Sequence, residues 1–514
     1  MKSKNVLLVI SHLGVGGTEI QTLNTVRALV LGGYKVTVLC LFRHIASVVA
    51  DYKWCGAKVY CASPQYSDYG ISIEYPKNLK LVAFLYKHLK KIIKEEDIDI
   101  VHVQYMTPAA TVILVLRYLL FQRCIIATAH TAADIYKDLR LLHFIQRHCL
   151  RAFTCITERA ERSFFGTSQL YTTETVLGKR NHFTIYNALP KATALQSTVK
   201  VCANEQESNS FELLQRQREG SVGCDEENFS SPEEKQLVAL LPKLCDEVTN
   251  GQQTTDFSNQ RDEHTNLDTF THTQACAGLP DEDTQSMYDN ENDNENQQSM
   301  TAINQRPEGA INRAEHFNRS AASLTGTEGA YSKLNTIGVV SRLELIKGMD
   351  LVVPAFAEVL KRFPEVRLLV VGDGTLRATM EQQAAELGCA DRITWVGRQP
   401  QEELNKWYGQ MGIVLMPSRS EGFGLTAIEA MANGCVMVAS HVGGLPEVVR
   451  NGVCGLLHRT EDVQDMVDKV CMLLDDAALY DRLRAQSLTE VKKYSFERYA
   501  TLINNLYGKL ALSN

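Results

Sequence analysis

The sequence predicts an α/β protein with two doubly wound parallel-sheet domains that face each other across a cleft. Short apolar runs rich in Val and Ile alternate with helical stretches over residues 1–190. The same alternation returns at residue 334, after a long acidic and polar segment at residues 191–333. Since strands that alternate with helices form parallel sheets covered on both faces, each alternating region predicts one such sheet.

The first region, residues 1–190, contains short apolar runs that suit buried strands and amphipathic stretches that suit helices. The predicted strands are Val6–Ile10, Val36–Leu41, Ile98–Val103, Cys124–Thr128 and His182–Tyr186. The predicted helices are Glu19–Leu31, Leu79–Lys94 and Tyr136–Arg151. We therefore expect residues 1–190 to form an N-terminal Rossmann-like domain.

Residues 191–333 differ in composition from the rest of the chain. They hold few aromatic residues, carry a net charge of −14 and include a run of Asn, Asp, Glu and Gln at residues 289–298. Such a segment buries too little apolar surface to offset the entropy of ordering it. We predict a largely disordered, low-complexity acidic insert with one short helix around Leu237–Leu244. A structureless spacer is the favoured interpretation, and acidic screening of the first domain is the alternative.

The second region begins at residue 334 and repeats the alternation of strands and helices. The predicted strands are Asn335–Ser341, Arg367–Val371, Ile393–Val396, Ile413–Met416 and Val436–Ser440. The predicted helices are Met349–Arg362, Leu376–Leu387, Glu402–Gly409, Gly424–Ala432, Asp462–Asp475 and a long tail from Ser495. We assign residues 334–494 to a C-terminal Rossmann-like domain, and we expect a helix at residues 495–514 to cross back to the N-terminal domain.

The composition indicates which binding partners and which cellular compartment to expect. The net charge of −7 argues against a nucleic-acid binder, although residues 1–191 carry a net charge of +11. The 14 cysteines show no ligand-like spacing, which favours free thiols in a reducing compartment. The apolar run after Met1 is too short for a secretory signal, and no stretch is long enough to span a bilayer. We therefore expect a cytoplasmic location.

Glycine-rich turns follow the first strand. Gly14, Gly16 and Gly17 lie in the loop before the first helix, where backbone N–H groups can approach an anion closely. Phosphate binding and a plain tight turn fit this loop equally well. A dinucleotide site fits poorly, because the third glycine of G-x-G-x-x-G and the acidic residue after the second strand are absent.

Charged residues and glycines follow three strands of the second region, at the edge where parallel sheets bind ligands. Glu421 lies before a helix and Glu429 more than one turn inside it, and two such carboxylates can each accept hydrogen bonds from sugar hydroxyls. Arg342 and Lys347 suit a diphosphate clamp, although by themselves such residues are more often solvated charge. The loop of Gly372, Asp373 and Gly374 also points to the cleft.

Together these segments resemble the retaining glycosyltransferases of family 4, which have the GT-B fold. The family's Glu-x7-Glu signature matches Glu421 and Glu429, its R-L-x3-K-G motif matches Arg342 to Gly348, its G-x-G loop matches Gly372 to Gly374, and its G-G-x-P-E element matches Gly443 to Glu447. In the first region the family's motifs match Gly16-Gly17, Thr128-Ala-His130 and Ile185-Tyr-Asn187. The resemblance covers residues 4–190 and 335–510 and does not include the acidic insert.

The resemblance implies a role for each matched residue. Arg342 and Lys347, with Gly16 and Gly17, would bind the donor diphosphate, and Glu429 the ribose. The transferred sugar would contact Glu421, Gly422, Phe423, Gly424 and Leu425. Glu421 and His130 would be the catalytic residues. His130 could instead be a structural histidine at the end of a strand. We interpret His102 in that way. The D-x-D pattern expected of metal-using glycosyltransferases occurs only at Asp97-Ile-Asp99 and Asp281-Glu-Asp283, outside the matched motifs. We therefore expect neither a metal nor a cofactor, with fixed cations and helix N–H groups stabilising the charge of the leaving group.

The resulting hypothesis is a metal-independent retaining glycosyltransferase with front-face transfer from a nucleotide diphosphate sugar to a saccharide or lipid-linked acceptor. Its product would be a lipopolysaccharide, an exopolysaccharide or a glycolipid. The basic helices Leu79–Lys94 and Tyr136–Arg151 favour peripheral attachment to an anionic membrane surface. The alternatives are a nucleotide-sugar epimerase or sugar phosphorylase on the same fold, and an inactive sugar-nucleotide binding protein. The motifs leave the base (UDP, GDP or ADP), the sugar and the acceptor open.

Overall fold

The structure is a computed structural model. It describes residues 4–62, 79–104, 110–136, 139–178, 180–190 and 333–512. Except for Lys333, the predicted insert and its short helix around Leu237–Leu244 lie outside the described residues. Two parallel β-sheets, each covered by helices, account for the described chain. The predicted α/β class is therefore confirmed.

The first sheet has seven parallel strands in the order β3-β2-β1-β4-β5-β6-β7. They are β1 Asn5–Ile10, β2 Lys35–Cys40, β3 Lys58–Cys61, β4 Ile100–Val103, β5 Ile125–Ala129, β6 Ala152–Cys155 and β7 His182–Thr184. The strand order reverses at β1, so the crevice at its carboxyl end is the expected place for a ligand. The prediction lacked β3 and β6, which are only four residues long and contain few β-branched residues.

In the described part of residues 4–190, six helices accompany these strands. They are α1 Gly17–Leu31, α2 Ala46–Trp54, α3 Leu79–Glu95, α4 Ala110–Leu114, α5 Arg140–His148 and α6 Glu158–Phe165. A π-helical turn, Val115–Leu119, continues α4. The prediction lacked α2, α4 and α6, and its helix Tyr136–Arg151 is too long. Helix α5 ends at His148 because the N–H of Arg151 already donates to Ile125 O of the neighbouring strand, 2.9 Å away.

The second sheet has six parallel strands in the order β10-β9-β8-β11-β12-β13. They are β8 Thr336–Val340, β9 Arg367–Val371, β10 Ile393–Gly397, β11 Ile413–Met416, β12 Val436–Ser440 and β13 Gly455–His458. The five strands predicted in this region are confirmed to within one residue at each end. The missed strand, β13, has the short sequence Gly-Leu-Leu-His, which carries little strand signal.

Eight helices belong to the second half of the described chain. They are α7 Val352–Leu360, α8 Arg377–Glu386, α9 Leu404–Tyr408, α10 Leu425–Ala432, α11 Leu445–Val448, α12 Val463–Asp475, α13 Ala477–Glu490 and α14 Phe496–Leu512. Short 3₁₀ turns precede several of them, including Leu345–Lys347 after β8. The prediction lacked α11 and α13. Helix α13 is mostly polar and buries few side chains, so its helical apolar period is weak.

Helix α14 packs against the first sheet. Its Tyr499 hydroxyl lies 2.7 Å from Thr25 Oγ1 on α1, and its Tyr507 hydroxyl lies 2.7 Å from His102 Nδ1 on β4. Apolar residues of α14 share a buried cluster with β1, β2 and α1. We therefore call the first sheet with α1–α6 and α14 the first lobe, and the second sheet with α7–α13 the second lobe.

Apolar side chains cover both faces of each sheet. A further apolar contact joins the lobes, because Ile156 of the first lobe belongs to the same buried cluster as Phe423 and Leu425 of the second. Within the described residues, no helix combines the length and the apolar character that crossing a bilayer requires. The described cysteines are all free thiols, as predicted.

Candidate functional site

A cavity of about 890 Å³ opens between the two lobes, at the carboxyl ends of their strands. It is lined by every residue that the sequence analysis assigned to the site. These are Gly16, Gly17, His130, Arg342, Lys347, Gly372, Asp373, Gly374, Glu421, Gly422, Phe423, Gly424, Leu425 and Glu429. Positions more than 400 residues apart in the sequence therefore meet in one space. The particular role of each residue stays a prediction.

The loop before α10 requires glycine at two positions. Gly424 has φ of +97°, in the left-handed region, and a Cβ there would lie 2.8 Å from Leu445 Cδ2. At Gly422 a Cβ would lie 2.5 Å from His130 O, so only glycine lets the lobes approach this closely. Helix α10 starts directly after Gly424, and the N–H groups of Leu425 and Thr426 precede the first bond of the helix, which Ala427 N–H makes to Gly424 O at 3.0 Å. The loop therefore brings a helix N-terminus to the cavity wall.

The opposite lobe brings a second helix start to the same region. Gly16 precedes α1, and a Cβ on Gly17 would lie 3.5 Å from Leu425 Cδ1. Helices α1 and α10 therefore begin close to each other, one from each lobe. Glu19, in the first turn of α1, is close enough to Arg342 for the guanidinium charge to lower the pKa of its carboxyl, although burial is the larger influence and raises that pKa. The sequence analysis did not single out Glu19 as a neighbour of the predicted phosphate clamp.

Lys347 and Glu421 form an ion pair in the cavity wall. Lys347 Nζ donates to Glu421 Oε2 at 2.7 Å, and the two side chains are 21% and 14% exposed. Gly348 follows with φ of +67°, and a Cβ there would collide with Pro417 O. The close approach of these two loops is what brings the lysine to the carboxylate. A cation and a carboxylate thus lie together where the resemblance places the diphosphate and the sugar.

Glu429 has a different environment. It lies on α10 and is buried, with Oε1 accepting a hydrogen bond from Gln401 Nε2 at 2.8 Å and Oε2 accepting one from the Tyr408 hydroxyl at 3.0 Å. Burial raises the pKa of this carboxyl to about 7, while the two hydrogen bonds lower it in part. The sequence analysis missed Gln401 and Tyr408. Gln401 follows the carboxyl end of β10, so the strand-end rule could have identified it.

His130 lies buried at the end of β5, on the wall of the cavity. Its Nε2 lies 3.3 Å from Gln104 Oε1, which places the ring proton on Nε2. Nδ1 is buried and has no hydrogen-bond partner among the described residues. Burial lowers the pKa of His130 to about 4, so the ring is neutral near neutral pH. His130 therefore presents a buried acceptor nitrogen that a hydroxyl could satisfy.

His102, which does not line the cavity, and Asn187, which does, differ in their hydrogen bonding. Both ring nitrogens of His102 are engaged, with the Tyr507 hydroxyl and with Thr128 Oγ1, each at 2.7 Å. The predicted structural role of His102 is therefore confirmed. Asn187, the last residue of the Ile-Tyr-Asn motif, lines the cavity, and its buried Oδ1 has no partner among the described residues. Asn187 was part of a matched motif but received no role in the prediction.

The G-G-x-P-E element joins the lobes beside the cavity. Glu447 Oε2 accepts a hydrogen bond from the backbone N–H of Glu158 at 2.9 Å, and Oε1 accepts one from that of Arg159 at 2.5 Å. Arg159 Nη1 in turn donates to Gly443 O at 3.0 Å. A second-lobe carboxylate thus satisfies N–H groups at the start of α6 in the first lobe, where a negative charge is favourable.

Two family models match the two lobes. The model described as Glycosyltransferase Family 4 matches residues 15–165, and the model described as Glycosyl transferases group 1 matches residues 325–489. Together they account for well over half of the chain. The chain belongs to glycosyltransferase family 4. The resemblance inferred from the motifs is therefore confirmed, and the two matches fall on either side of the predicted insert.

Several curated relatives of this family 4 member are named D-inositol 3-phosphate glycosyltransferase. The D-inositol 3-phosphate glycosyltransferase of Nocardia farcinica is 41% identical over 162 residues, 30% of this chain and 35% of that protein. Its namesake from Corynebacterium aurimucosum is 35% identical over 178 residues, 34% of this chain and 42% of that protein. The chain thus matches well under half of the length of these relatives.

Solved structures share the architecture of the whole chain. A glycosyltransferase from Rickettsia africae has a TM-score of 0.60 at 14% identity, with full coverage of both chains. Anabaena HepE, solved with UDP and glucose, has a TM-score of 0.56 at 13% identity and covers 99% of this chain and 100% of its own. These likenesses confirm the predicted GT-B fold.

Proposed function

We propose that the protein is a retaining glycosyltransferase that moves a hexose from a nucleotide diphosphate sugar to a hydroxyl group of a saccharide or lipid-linked acceptor. The observation that carries this proposal is the composition of the cavity. Its second-lobe wall includes the cations of Arg342 and Lys347, the N-terminus of α10, and the Glu-x7-Glu carboxylates, which have different environments. A volume of about 890 Å³ is in the range that cofactor-sized ligands occupy.

The donor would lie mainly against the second lobe. Arg342 and Lys347 would bind the diphosphate, together with the N–H groups at Gly16 and Gly17. Glu429 would accept hydrogen bonds from the ribose hydroxyls. A carboxylate has about four acceptor positions, so Glu429 could bind ribose hydroxyls while it keeps its hydrogen bonds from Gln401 and Tyr408.

The transferred sugar would lie beside Glu421 and the loop Gly422–Leu425. In front-face transfer, the bond between C1 of the sugar and the β-phosphate oxygen breaks while the acceptor oxygen bonds to C1 from the same face. The acceptor proton passes to the departing phosphate oxygen. Negative charge grows on the diphosphate, and cations and helix N–H groups that are in place before the reaction stabilise it. A metal ion is not needed for this step.

The acceptor would lie against the first lobe. His130 Nδ1 and Asn187 Oδ1 are buried acceptors without a partner among the described residues, and they suit hydroxyl groups of a polyol. The named relatives act on D-inositol 3-phosphate. A phosphorylated cyclitol is therefore the first acceptor to test, followed by saccharides and lipid-linked saccharides.

Product analysis tests the proposal. UDP-, GDP- and ADP-sugars are first screened by thermal shift, since a ligand that binds only the folded state raises the unfolding temperature. The selected donor is then incubated with acceptors, with and without chelator, and the anomeric configuration of the product is read by NMR. We expect free nucleoside diphosphate and a glycoside with the donor's configuration, unaffected by chelator.

The alternatives give other products or none. An epimerase would yield an altered nucleotide sugar, a phosphorylase would yield a sugar 1-phosphate, and an inactive binding protein would show the thermal shift without turnover.

Glu421→Gln should abolish turnover while the donor still raises the unfolding temperature. Glu358→Gln is the matched control, because Glu358 is an exposed carboxylate paired with Lys361 on the same lobe.

We further propose weak peripheral attachment to an anionic membrane through α3. Its apolar residues Leu85, Leu89 and Ile92 pack in the core, while Lys87, Lys91 and Lys94 are exposed. Attachment would therefore be electrostatic, worth about 1 kcal/mol per lysine near the surface. The protein should float with phosphatidylglycerol vesicles at low salt and not at high salt. Replacing the three lysines with Gln should remove this co-migration; unchanged flotation would exclude α3.

A further inference from the structure

A cluster of ion pairs lies directly behind the second-lobe wall of the cavity. Arg419 follows β11 by three residues, and its Nη1 and Nη2 donate to the two carboxylate oxygens of Asp350 at 2.6 and 2.9 Å. Its Nη2 also donates to Glu461 Oε2 at 2.8 Å, and its Nε lies 2.5 Å from Glu461 Oε1. Arg419 thus makes paired contacts with two carboxylates, a geometry that the planar guanidinium allows and an ammonium does not.

Arg419 also binds the backbone of the loop that carries Lys347. Its Nη1 donates to Leu345 O, and its own N–H donates to Ile346 O at 3.0 Å. On the other side of Lys347, Gly348 approaches Pro417 O so closely that no Cβ would fit. Contacts with residues 417 and 419 therefore hold the backbone immediately before and after Lys347.

The same segment carries Glu421. It begins at Pro417, passes through Arg419 and reaches Glu421, whose carboxylate accepts the hydrogen bond from Lys347 Nζ at 2.7 Å. None of Arg419, Asp350 and Glu461 lines the cavity. The cluster therefore lies one layer behind the residues that would contact a ligand.

Backbone conformation and burial indicate that the cluster is more than a surface ion pair. Glu461 has φ of +66°, which is uncommon for a residue other than glycine. The side chains of Arg419 and Asp350 are only 23% and 28% exposed, whereas Glu461 is 52% exposed. The pair with Asp350 is thus the shielded one, and it joins the 3₁₀ segment after Gly348 to the loop after β11.

We propose that Arg419 is a positioning residue that holds Lys347 and Glu421 in the arrangement that binds the donor diphosphate and sugar. This inference rests on the proposed function, because it assigns Arg419 a part in the same site. Without the guanidinium, Leu345 O and Asp350 lose their bonds to the chain after β11, and only the backbone contacts of Ile346 and Gly348 remain. Lys347 then spends less time in the position that a diphosphate requires, and donor affinity falls.

The test compares Arg419→Gln, Arg419→Lys, Lys347→Gln and the double variant Arg419→Gln/Lys347→Gln. Calorimetry measures binding of UDP, GDP and ADP, and steady-state kinetics gives the KM of each substrate. We expect Arg419→Gln to weaken binding of the preferred diphosphate about 10-fold and Lys347→Gln at least as much. Arg419→Lys should restore little, since it cannot bind Asp350 through two donors.

The double variant separates positioning from a general effect on folding. If Arg419 acts through Lys347, the double variant should bind the diphosphate no more than about twofold more weakly than Lys347→Gln alone, because the two effects are not additive. The acceptor KM should not change. Arg362→Gln is the control, since it breaks an exposed ion pair with Asp475 in the same lobe, and it should leave both substrates unaffected.

Two results would overturn the inference. In one, Arg419→Gln lowers the unfolding temperature but leaves diphosphate affinity unchanged while Lys347→Gln weakens it. In the other, the effects of the two substitutions multiply in the double variant. If Lys347→Gln has no effect either, the proposed function itself fails with the inference. Asp350→Asn removes the same pair from its other side and replaces Arg419→Gln should that variant not fold.

Discussion

The two walls of the cavity differ in charge. The second lobe contributes seven ionisable side chains: Arg342, Glu344, Lys347, Asp373, Arg398, Glu421 and Glu429. The first lobe contributes neutral groups, including the N–H groups near Gly16, Thr131, Asn187 and a His130 that is neutral near pH 7. Under the proposed function, side chains of the second lobe would neutralise a departing diphosphate, and side chains of the first lobe would bind hydroxyl groups.

A second difference separates the two carboxylates of the Glu-x7-Glu signature. Glu421 is paired with Lys347, whereas Glu429 is buried beside two uncharged donors and has its pKa raised to about 7. Two identical residues in one motif thus have different chemistry because the lysine meets only one of them. This difference supports separate roles on the sugar and on the ribose.

The largest expected effect on activity comes from removing a cation from the charged wall of the second lobe. Arg342→Gln removes a fixed cation that would meet the charge of the leaving diphosphate, and we expect kcat/KM to fall about 10²–10³-fold. Steady-state kinetics with the selected donor measures the change. Arg392→Gln, on an exposed arginine that pairs only with its neighbour Asp391 among the ion pairs of the described residues, should stay within twofold. A fall of less than threefold for Arg342→Gln would mean that the charged wall does not stabilise the leaving group.

A smaller effect is expected on the ribose side. Glu429→Gln keeps the shape of the side chain and weakens its hydrogen bonds to hydroxyl groups, which are worth about 1.5–3 kcal/mol when charged. We expect the donor KM to rise about 10- to 100-fold with less change in kcat. Donor titrations at saturating acceptor measure this effect. An equal loss of kcat and kcat/KM would instead place Glu429 in the reaction step.

A substitution on the neutral wall of the first lobe should weaken binding of the acceptor and not of the donor diphosphate. Asn187→Leu removes the buried acceptor of the first lobe, and we expect the acceptor KM to rise about 10-fold while the diphosphate affinity stays unchanged. Kinetics with varied acceptor and calorimetry with diphosphate together measure both quantities. Gln382→Leu, at an exposed position of α8 that does not line the cavity, serves as the control. A change in diphosphate affinity for Asn187→Leu would contradict the division between the walls.

One buried group on each wall, Glu429 and His130, should make the free energy of unfolding depend on pH in opposite directions. The folded-state pKa of Glu429 is raised to about 7, so it stabilises the fold at low pH and loses this effect as pH rises from about 4.5 to 7. The folded-state pKa of His130 is lowered to about 4, so its contribution is present above pH 6.5 and lost as pH falls toward 4. Between about pH 5 and 6.5 the two contributions therefore oppose each other.

Denaturant unfolding at several pH values between about 5 and 6.5 measures these contributions. Glu429→Gln should make the free energy of unfolding rise more steeply with pH, and His130→Asn should flatten it. Each change should be at most about 1.4 kcal/mol per pH unit. Identical slopes in both variants and the parent protein would show that neither group has a shifted pKa.

The smallest effect concerns the contact between the lobes. Glu447→Gln removes the charge that caps the start of α6, a loss of about 1 kcal/mol. We expect a slightly larger radius of gyration by small-angle scattering and a few-fold lower kcat, since the walls spend less time apposed. Glu490→Gln, which affects ion pairs within the second lobe only, should change neither. An unchanged radius and rate for Glu447→Gln would show that this contact does not hold the walls together.

The sequence predicted most of the second lobe and less of the first. Its longer strands, such as β9 and β11, are continuous apolar runs that need no context to be recognised. The strands it missed are four residues long, and they form because neighbouring strands already offer hydrogen bonds. Helix α6 was missed although local signals were present: Thr157 caps its start, with Oγ1 accepting from Ala160 N at 3.0 Å, and Gly166 ends it in the left-handed conformation.

For the site, the strand-end rule and the motifs identified Arg342, His130 and Glu421. They could not identify Tyr408 as a donor to Glu429, the contact of Glu447 with α6, or the cluster of ion pairs around Arg419. Those contacts join residues that lie 21 to 289 positions apart. No local spacing encodes a distance across the fold.

The sequence by itself determined the fold class, the family and the residue types of the site, because apolar periodicity and glycine placement act over a few neighbouring residues. Only the tertiary structure decided which of these residues are paired, buried or neutral. Burial and charges brought close by folding set the pKa values of Glu429 and His130, and both depend on distances through space. The contrast between a charged and a neutral wall exists only once the two lobes enclose the same cavity.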